Sequence, residues 1–110
     1  MNPFEIWTWQ PPKWPEPHPV VIVSHPARAA RKTVVEVIAC STKRAQRGPE
    51  AHEIILDQAD GLDWPTICYC DLIYGVERGE IKRHRGQVIE ARRSHLVRTI
   101  IAAHGWAAVF

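Results

Sequence analysis

Four side chains at the borders of apolar segments could transfer protons or hold an anion. His18 lies between two prolines, and an imidazole can accept or donate a proton near neutral pH. Asp71 ends an apolar strand-like segment, and Ser41 and Thr42 end another. Each also fits a purely structural role: a surface histidine between prolines, a carboxylate that caps a turn, and a plain strand end.

Basic side chains cluster in three short stretches of the sequence, at 28–32, 43–47 and 82–85. Local clustering of this kind suits phosphate binding, although a charge run is as often an ordinary solvated surface. If the second and third stretches flank one groove, they would follow a phosphate backbone. The cations concerned are Lys43, Arg44, Arg47, Arg83 and Arg85.

Five tryptophans are many for a chain of 110 residues. Trp14, in a proline-rich segment at 11–19, or Trp64 could stack on unpaired bases. Trp7 and Trp9 share one face of a predicted strand, which favours packing for that pair. All of them could equally belong to a core or a dimer interface.

Length and composition predict one globular domain over 1–110. The chain is 45% apolar and 24% charged, which excludes a disordered protein, and its net charge of +2 does not by itself indicate a nucleic-acid binder. No apolar stretch approaches the ~20 residues of a membrane span, and no signal-peptide pattern opens the chain. We therefore expect a cytoplasmic protein without membrane association.

Three cysteines cannot all pair within one chain. Cys68 and Cys70 alternate along a predicted strand, but their spacing is not that of a zinc site, and Cys40 lies in another apolar run. Buried reduced thiols are the simplest explanation, and we expect no metal.

The pattern of apolar residues predicts five or six short strands followed by one helix. The predicted strands are 4–9, 20–24, 33–41, 52–56, 66–71 and 73–77 as two strands or one bent strand, and 80–89. Apolar residues recur at helical spacing from Leu96 to Ala103. Short polar connections favour an α+β, mainly β fold: an antiparallel barrel or strongly curved sheet with the helix packed on it.

The order of these segments resembles the MazF/PemK toxin family. The run 18–24 (HPVVIVS) resembles its Arg-Pro-Val-hydrophobic-hydrophobic-Val-Ser strand, and 34–42 (VVEVIACST) resembles the next strand, which ends in a Thr-Ser pair. The run 66–77 (TICYCDLIYGVE) resembles the PemK/Kid stretch Val-Val-Arg-Cys-Asp-Gln-Pro-Arg-Thr-Ile-Asp, with Cys70 and Asp71 on its Cys-Asp. The resemblance covers nearly the whole chain.

The resemblance implies an SH3-like barrel that works as a homodimer. It further implies a toxin of a type II toxin–antitoxin system that inhibits growth by cutting single-stranded RNA, such as mRNA, without metal or cofactor. A cognate antitoxin protein would bind the dimer and block its RNA groove.

The resemblance also implies roles for individual residues. The family's arginine before the proline corresponds to His18, its threonine or serine to Ser41 and Thr42, and its acidic residue to Asp71. RNA cleavage without metal needs a base for the 2′-hydroxyl, an acid for the departing 5′-oxygen and donors for the phosphorane. We expect His18 and Asp71 to transfer the protons. We expect Ser41 or Thr42, together with Lys43 or Arg44, to hold the phosphate.

The sequence departs from the family pattern at the residues around the acid. Tyr69 replaces the arginine two places before it, and Leu72 replaces the glutamine after it. The predicted RNA-binding set is Lys43, Arg44, Arg47, Tyr69, Arg83, Arg85 and Trp14.

Two other functions remain open from the sequence. A CcdB-like relative would bind a protein target without cutting RNA, and RNA fragments with cyclic-phosphate ends would distinguish a nuclease from it. A small SH3-like adaptor would read a proline-rich partner segment, and it should not arrest growth when it is expressed alone.

Overall fold

A computed structural model describes residues 1–14 and 16–109. Its β-strands and α-helices are β1 (Glu5–Trp9), β2 (His18–Ile22), α1 (Pro26–Arg31), β3 (Val34–Cys40), β4 (Glu53–Leu56), β5 (Thr66–Glu77), β6 (Ile81–Gln87) and α2 (Glu90–Ala103). Short 3₁₀ turns occupy Gln58–Asp60, Arg78–Glu80 and Trp106–Ala108. The strands form one sheet in the order β4-β5-β3-β2-β1-β6, and each neighbouring pair is antiparallel. The predicted mainly β fold with a C-terminal helix is confirmed.

The sheet buries apolar side chains on both faces. Alternate residues of β2 show this, because Val21 packs in the cluster that also holds Leu96 and Ile100 of α2, whereas Val20 packs in a second cluster with Ala29 of α1. Continuous β-branched runs in β2 and β3 are therefore the consequence of two covered faces.

The tryptophan pair of β1 behaves largely as predicted. Trp9 is 6% exposed and belongs to the α1-side cluster. Trp7 is half-buried, and its ring stacks on His84 of β6 with 4.8 Å between the centroids.

The proline-rich segment 11–19 runs into strand β2. Position 15 lies outside the described residues, and His18 and Pro19 already belong to β2. Pro19 lies opposite Thr8 of β1, and the pairing of β2 with β3 starts only at Val20. The missing N–H of this proline therefore falls where the ladder to β3 has ended.

Of the two alternatives for 66–71 and 73–77, the single strand is the one found, as β5. Its pairing with β3 shifts between Ile38, opposite Ile73, and Cys40, opposite Cys68. Four residues of β5, 69–72, therefore stand opposite the single residue Ala39. Such an insertion bends the strand and turns its side chains toward new directions.

The prediction of three reduced cysteines is wrong for two of them. Cys40 and Cys68 lie opposite each other on β3 and β5, with 4.0 Å between their Cα atoms, and their sulfurs are bonded as a disulfide. The prediction failed because it rested on composition, whereas the strand register brings the two thiols together. Cys70 is a buried free cysteine, and burial raises the pKa of its thiol to about 12.

The segment between β4 and β5 packs against β6, which is the edge of the sheet opposite β4. Asp60, which is 1% exposed, accepts hydrogen bonds from the backbone N–H of Asp57 and Ile89 and from Arg92 of α2. Gly61 adopts a φ of 98° and lies so close to Gly86 of β6 that a Cβ on either residue would meet the other's backbone. These contacts hold the loop against the far edge of the sheet.

Within the described residues, no helix is both long and apolar enough to cross a membrane.

Candidate functional site

Two cavities meet at Ser41, the first residue after β3. The first, which we call the basic cavity, has a volume of about 430 Å³. It is lined by Ser41, Lys43, Arg44, Ala45, Gln46, Arg47, Ile67 and Tyr69. The second, the tryptophan cavity, has a volume of about 80 Å³. It is lined by Pro17, Pro19, Ser41, Thr42, Leu62, Asp63, Trp64, Thr66 and Arg85.

The end of β3 fixes the position of the two hydroxyls. The backbone N–H of Ser41 donates to the carbonyl oxygen of Ile67 over 2.8 Å, so the chain is still attached to β5 at this point. The Ser41 Oγ then accepts the N–H of Lys43 over 3.1 Å, which turns the chain. Thr42 Oγ1 donates to Glu16 Oε2 over 3.3 Å. Ser41 and Thr42 therefore form a hydrogen-bonded turn between the two cavities.

The predicted basic loop does form one surface. Lys43 and Arg44 are exposed on the wall of the basic cavity. Arg47 is fixed, because its two terminal nitrogens donate to both carboxylate oxygens of Glu53 over 2.7 and 3.0 Å. Hydrogen bonding from Arg47 lowers the pKa of Glu53 from 4.5 to about 2. The carboxylate thus stays ionised and holds the guanidinium at the cavity wall.

Asp71 meets a residue that the sequence analysis did not single out. It lies in the 69–72 insertion of β5, and its Oδ2 is 3.9 Å from Nε2 of His52. The same Nε2 is 3.7 Å from Oε2 of Glu53. Sequence reasoning missed His52 because nothing in its neighbourhood signals a role, and only the β4–β5 register brings it to Asp71. His52 is the first residue of the predicted strand 52–56, and its residue type was the only available sign.

His18 lies in an aromatic cluster rather than beside Asp71. Its ring centroid is 5.0 Å from that of Trp14, and the Trp14 ring also contacts those of Trp9 and Tyr74. Because β2 and β5 flank β3, strand spacing alone separates His18 from Asp71 by about 10 Å. Neither His18 nor Asp71 is among the residues that line the basic or the tryptophan cavity, although Pro17 and Pro19, on either side of His18, line the tryptophan cavity.

The remaining predicted RNA-binding residues are divided between different places. Tyr69 lines the basic cavity with 36% of its surface exposed. Arg85 lines the tryptophan cavity and forms an ion pair with Asp63 at 3.2 Å. Arg83 is exposed on the edge strand β6, opposite Thr8. Trp64 lines the tryptophan cavity, whereas Trp14 belongs to the aromatic cluster around His18.

Three side chains near Asp71 are close enough together to hold a cation. One ligand atom each of Glu50, His52 and Glu53 lies within 4.8 Å of the others. Both oxygens of Glu53, however, already accept hydrogen bonds from Arg47. The positive guanidinium opposes a metal ion at this carboxylate, so the donor set fits a metal poorly.

Several solved structures share this fold. The Mycobacterium tuberculosis toxin MazF-mt6 has a TM-score of 0.77 at 22% identity, covering 92% of this chain and 96% of its own. An endoribonuclease in complex with its cognate antitoxin, from a mycobacterial species, has a TM-score of 0.79 at 18% identity, covering 96% and 95%. A mycobacterial endoribonuclease has a TM-score of 0.76 at 18% identity, covering 96% and 91%.

Comparison of the sequence with curated proteins finds no match. The sequence profile of the PemK-like, MazF-like toxins of type II toxin–antitoxin systems matches residues 2–104. That match spans nearly all of the chain and includes both cavities. The chain therefore belongs to the PemK-like, MazF-like family of type II toxin–antitoxin toxins.

Proposed function

We propose that this toxin is a metal-independent endoribonuclease that cuts single-stranded RNA and thereby arrests growth. The single observation that carries the proposal is the meeting of two cavities at Ser41, with Lys43, Arg44 and Arg47 on one side and Arg85 on the other. Two structures of the same fold are described as endoribonucleases. Cations on both sides of one hydroxyl suit a phosphodiester chain passing over it.

Strand cleavage needs a base and an acid on opposite sides of the phosphorus. With the phosphate at Ser41, we assign the base to the Asp71 side and the acid to His18, on the other side of β3. Ser41 or Thr42 and Lys43 or Arg44 would donate to the phosphorane oxygens. The 2′-oxygen then displaces the 5′-oxygen, and the products are a 2′,3′-cyclic phosphate and a 5′-hydroxyl.

The aromatic side chains would hold the bases. Trp64 in the tryptophan cavity and Tyr69 in the basic cavity are each 36% exposed, so a ring face is available on each side of Ser41. Stacking of unpaired bases on such rings is tolerant of sequence and contributes about 1–3 kcal/mol per base. Single-stranded RNA is therefore the nucleic acid that this surface suits.

The proposed partners are a second copy of the chain and a cognate antitoxin. An endoribonuclease with this fold was solved in complex with its cognate antitoxin, which supports such a partner here. Exposed apolar side chains support protein partners as well: Leu72 is 51% and Trp106 43% exposed. An antitoxin that covers the basic cavity would prevent RNA from reaching Ser41.

The proposal is tested with purified protein and a panel of single-stranded RNAs in EDTA. We expect fragments with cyclic-phosphate ends, and we expect His18→Ala and Asp71→Ala each to slow cleavage at least about 100-fold. Expression without an antitoxin should arrest growth, and the two variants should relieve the arrest. Intact RNA after incubation with the folded wild-type protein would refute the proposal.

A further inference from the structure

Asp71 lies beside His52, and His52 lies beside the Glu53 carboxylate that holds Arg47 at the wall of the basic cavity. Arg47, on the cavity wall, binds both oxygens of Glu53. Oε2 of Glu53 lies 3.7 Å from Nε2 of His52, and Nε2 lies 3.9 Å from Oδ2 of Asp71. His52 is therefore the group that stands between the fixed ion pair of the cavity wall and the proposed base.

The backbone also fixes His52 next to Asp71. The N–H of Cys70 donates to the carbonyl oxygen of His52 over 2.9 Å, directly before Asp71 in the chain. The following pair, Glu53 and Tyr69, is in register on β4 and β5. The histidine and the aspartate are thus held side by side at the end of a paired ladder, while 37% of the His52 side chain remains exposed.

We propose that His52 is a further catalytic residue of this site and takes the 2′-hydroxyl proton of the RNA, with Asp71 orienting its imidazole. The inference rests on the proposed function and refines its base. A carboxylate alone is a weak base at neutral pH, whereas an imidazole beside a carboxylate is a stronger base whose protonated form the carboxylate stabilises. Tyr69, which replaces the arginine of the family pattern, brings no positive charge to this side of the basic cavity.

The orientation of the ring assigns its two nitrogens. Nε2 lies 3.7 and 3.9 Å from carboxylate oxygens of Glu53 and Asp71, so we assign the retained proton to Nε2 and the reaction with the substrate to Nδ1. Nδ1 accepts the 2′-hydroxyl proton, and the freed electron pair of the 2′-oxygen forms the new bond to phosphorus. The bond from phosphorus to the 5′-oxygen breaks, and that oxygen takes the proton of His18. His52 ends as imidazolium and His18 as neutral imidazole, so the protons balance.

The charged groups that face His52 are Glu53 and Asp71, with Glu50 close by and Arg47 behind Glu53. The carboxylates carry the negative charge that would offset the imidazolium formed when His52 takes the 2′-hydroxyl proton.

The experiment measures cleavage of single-stranded RNA in EDTA by wild type, His52→Gln, His52→Asn and the control His95→Gln. His95 is an exposed histidine on α2, far along the chain from the site. We expect both His52 variants to lose at least about 100-fold in kcat/KM. Binding of an RNA methylated at the 2′-oxygen should change less than about threefold, and His95→Gln should match wild type.

The outcomes separate this inference from the proposed function. If the wild type cleaves RNA and the folded His52 variants cleave it equally fast, the role of His52 is overturned and Asp71 remains the base. An inactive wild type would overturn both. If His52 and Asp71 act as one unit, the double variant with Asp71→Asn and His52→Gln should cleave RNA no more slowly than His52→Gln alone. A further loss on combining them would contradict the orienting role of Asp71.

Discussion

The buried carboxylate of Asp60 and the guanidinium of Arg92 join the β4–β5 connection to the C-terminal helix. The Asp60 side chain is fully buried, and Arg92 also donates to both oxygens of Asp57. Breaking a buried ion pair from one side leaves a charge without compensation. Arg92→Met should therefore lower the free energy of unfolding by about 3 kcal/mol.

Urea unfolding followed by circular dichroism measures the effect of Arg92→Met. Arg98→Met, an exposed arginine on the same helix, is the matched control and should stay within about 0.5 kcal/mol of wild type. Equal stability of the two variants would show that the ion pair does not hold the connection in place.

The close approach of Gly61 and Gly86 predicts a second effect on stability. A Cβ on Gly86 would meet the backbone carbonyl of Asp60, and backbone atoms cannot move aside as a flexible side chain can. We expect Gly86→Ala to destabilise the protein by about 1–3 kcal/mol. Gly79→Ala is the control, because nothing lies within 4 Å of a Cβ placed there. Thermal unfolding of the two variants should differ clearly, and identical midpoints would contradict the contact.

The Arg47–Glu53 pair predicts a loss of stability in acid. The pKa of Glu53 is lowered from 4.5 to about 2 by its hydrogen bonds from Arg47. A lowered folded-state pKa stabilises the protein above the unfolded value, and that contribution disappears as the pH falls from about 4.5 to about 2. Arg47→Met removes the cause, so its melting temperature should lie below that of wild type at about pH 6.

The difference between Arg47→Met and wild type should shrink as the pH approaches about 2, where Glu53 becomes protonated in both proteins. Differential scanning calorimetry from about pH 2 to about pH 7 provides the test. Arg44→Met, which removes an exposed neighbouring cation, should show a difference that does not depend on pH. A difference for Arg47→Met that persists unchanged at the acid end of this range would assign its effect to packing instead.

The cations of the two cavities predict the salt dependence of RNA binding. Removal of one cation that binds a phosphate should reduce the slope of log K against log salt concentration by about 0.7 for a single strand. Arg44→Glu and Arg85→Glu should each weaken binding and flatten that slope, since they line the basic and the tryptophan cavity respectively. Arg98→Glu is the control with the same change of charge. Binding that is unaffected by both cavity variants would remove RNA from this surface.

The sequence predicted the elements better than the contacts between them. The β-branched runs around Val21 and Val37 indicated strands, because a residue that packs on either face of a covered sheet is apolar. The basic loop from Lys43 to Arg47 was also recognisable, since a short polar segment between strands must lie at the surface. Both features depend on local composition and need no knowledge of which strands are neighbours.

The contacts that define the site depend on strand register, which the sequence does not show. Four residues of β5 face Ala39, and one of them is Asp71, which lies beside His52. The same register places Cys40 opposite Cys68. A pattern of alternating residues indicates which face a side chain takes but not how far one strand is shifted along another.

The contact between Gly61 and Gly86 limits how this chain can diverge. The two positions are far apart in the sequence, yet each fills the space in which the other's first side-chain atom would stand. No single substitution away from glycine at either position avoids the backbone of its counterpart. Substitutions can therefore change the walls of both cavities. The contact between the β4–β5 connection and β6, by contrast, can change only if the backbone itself moves.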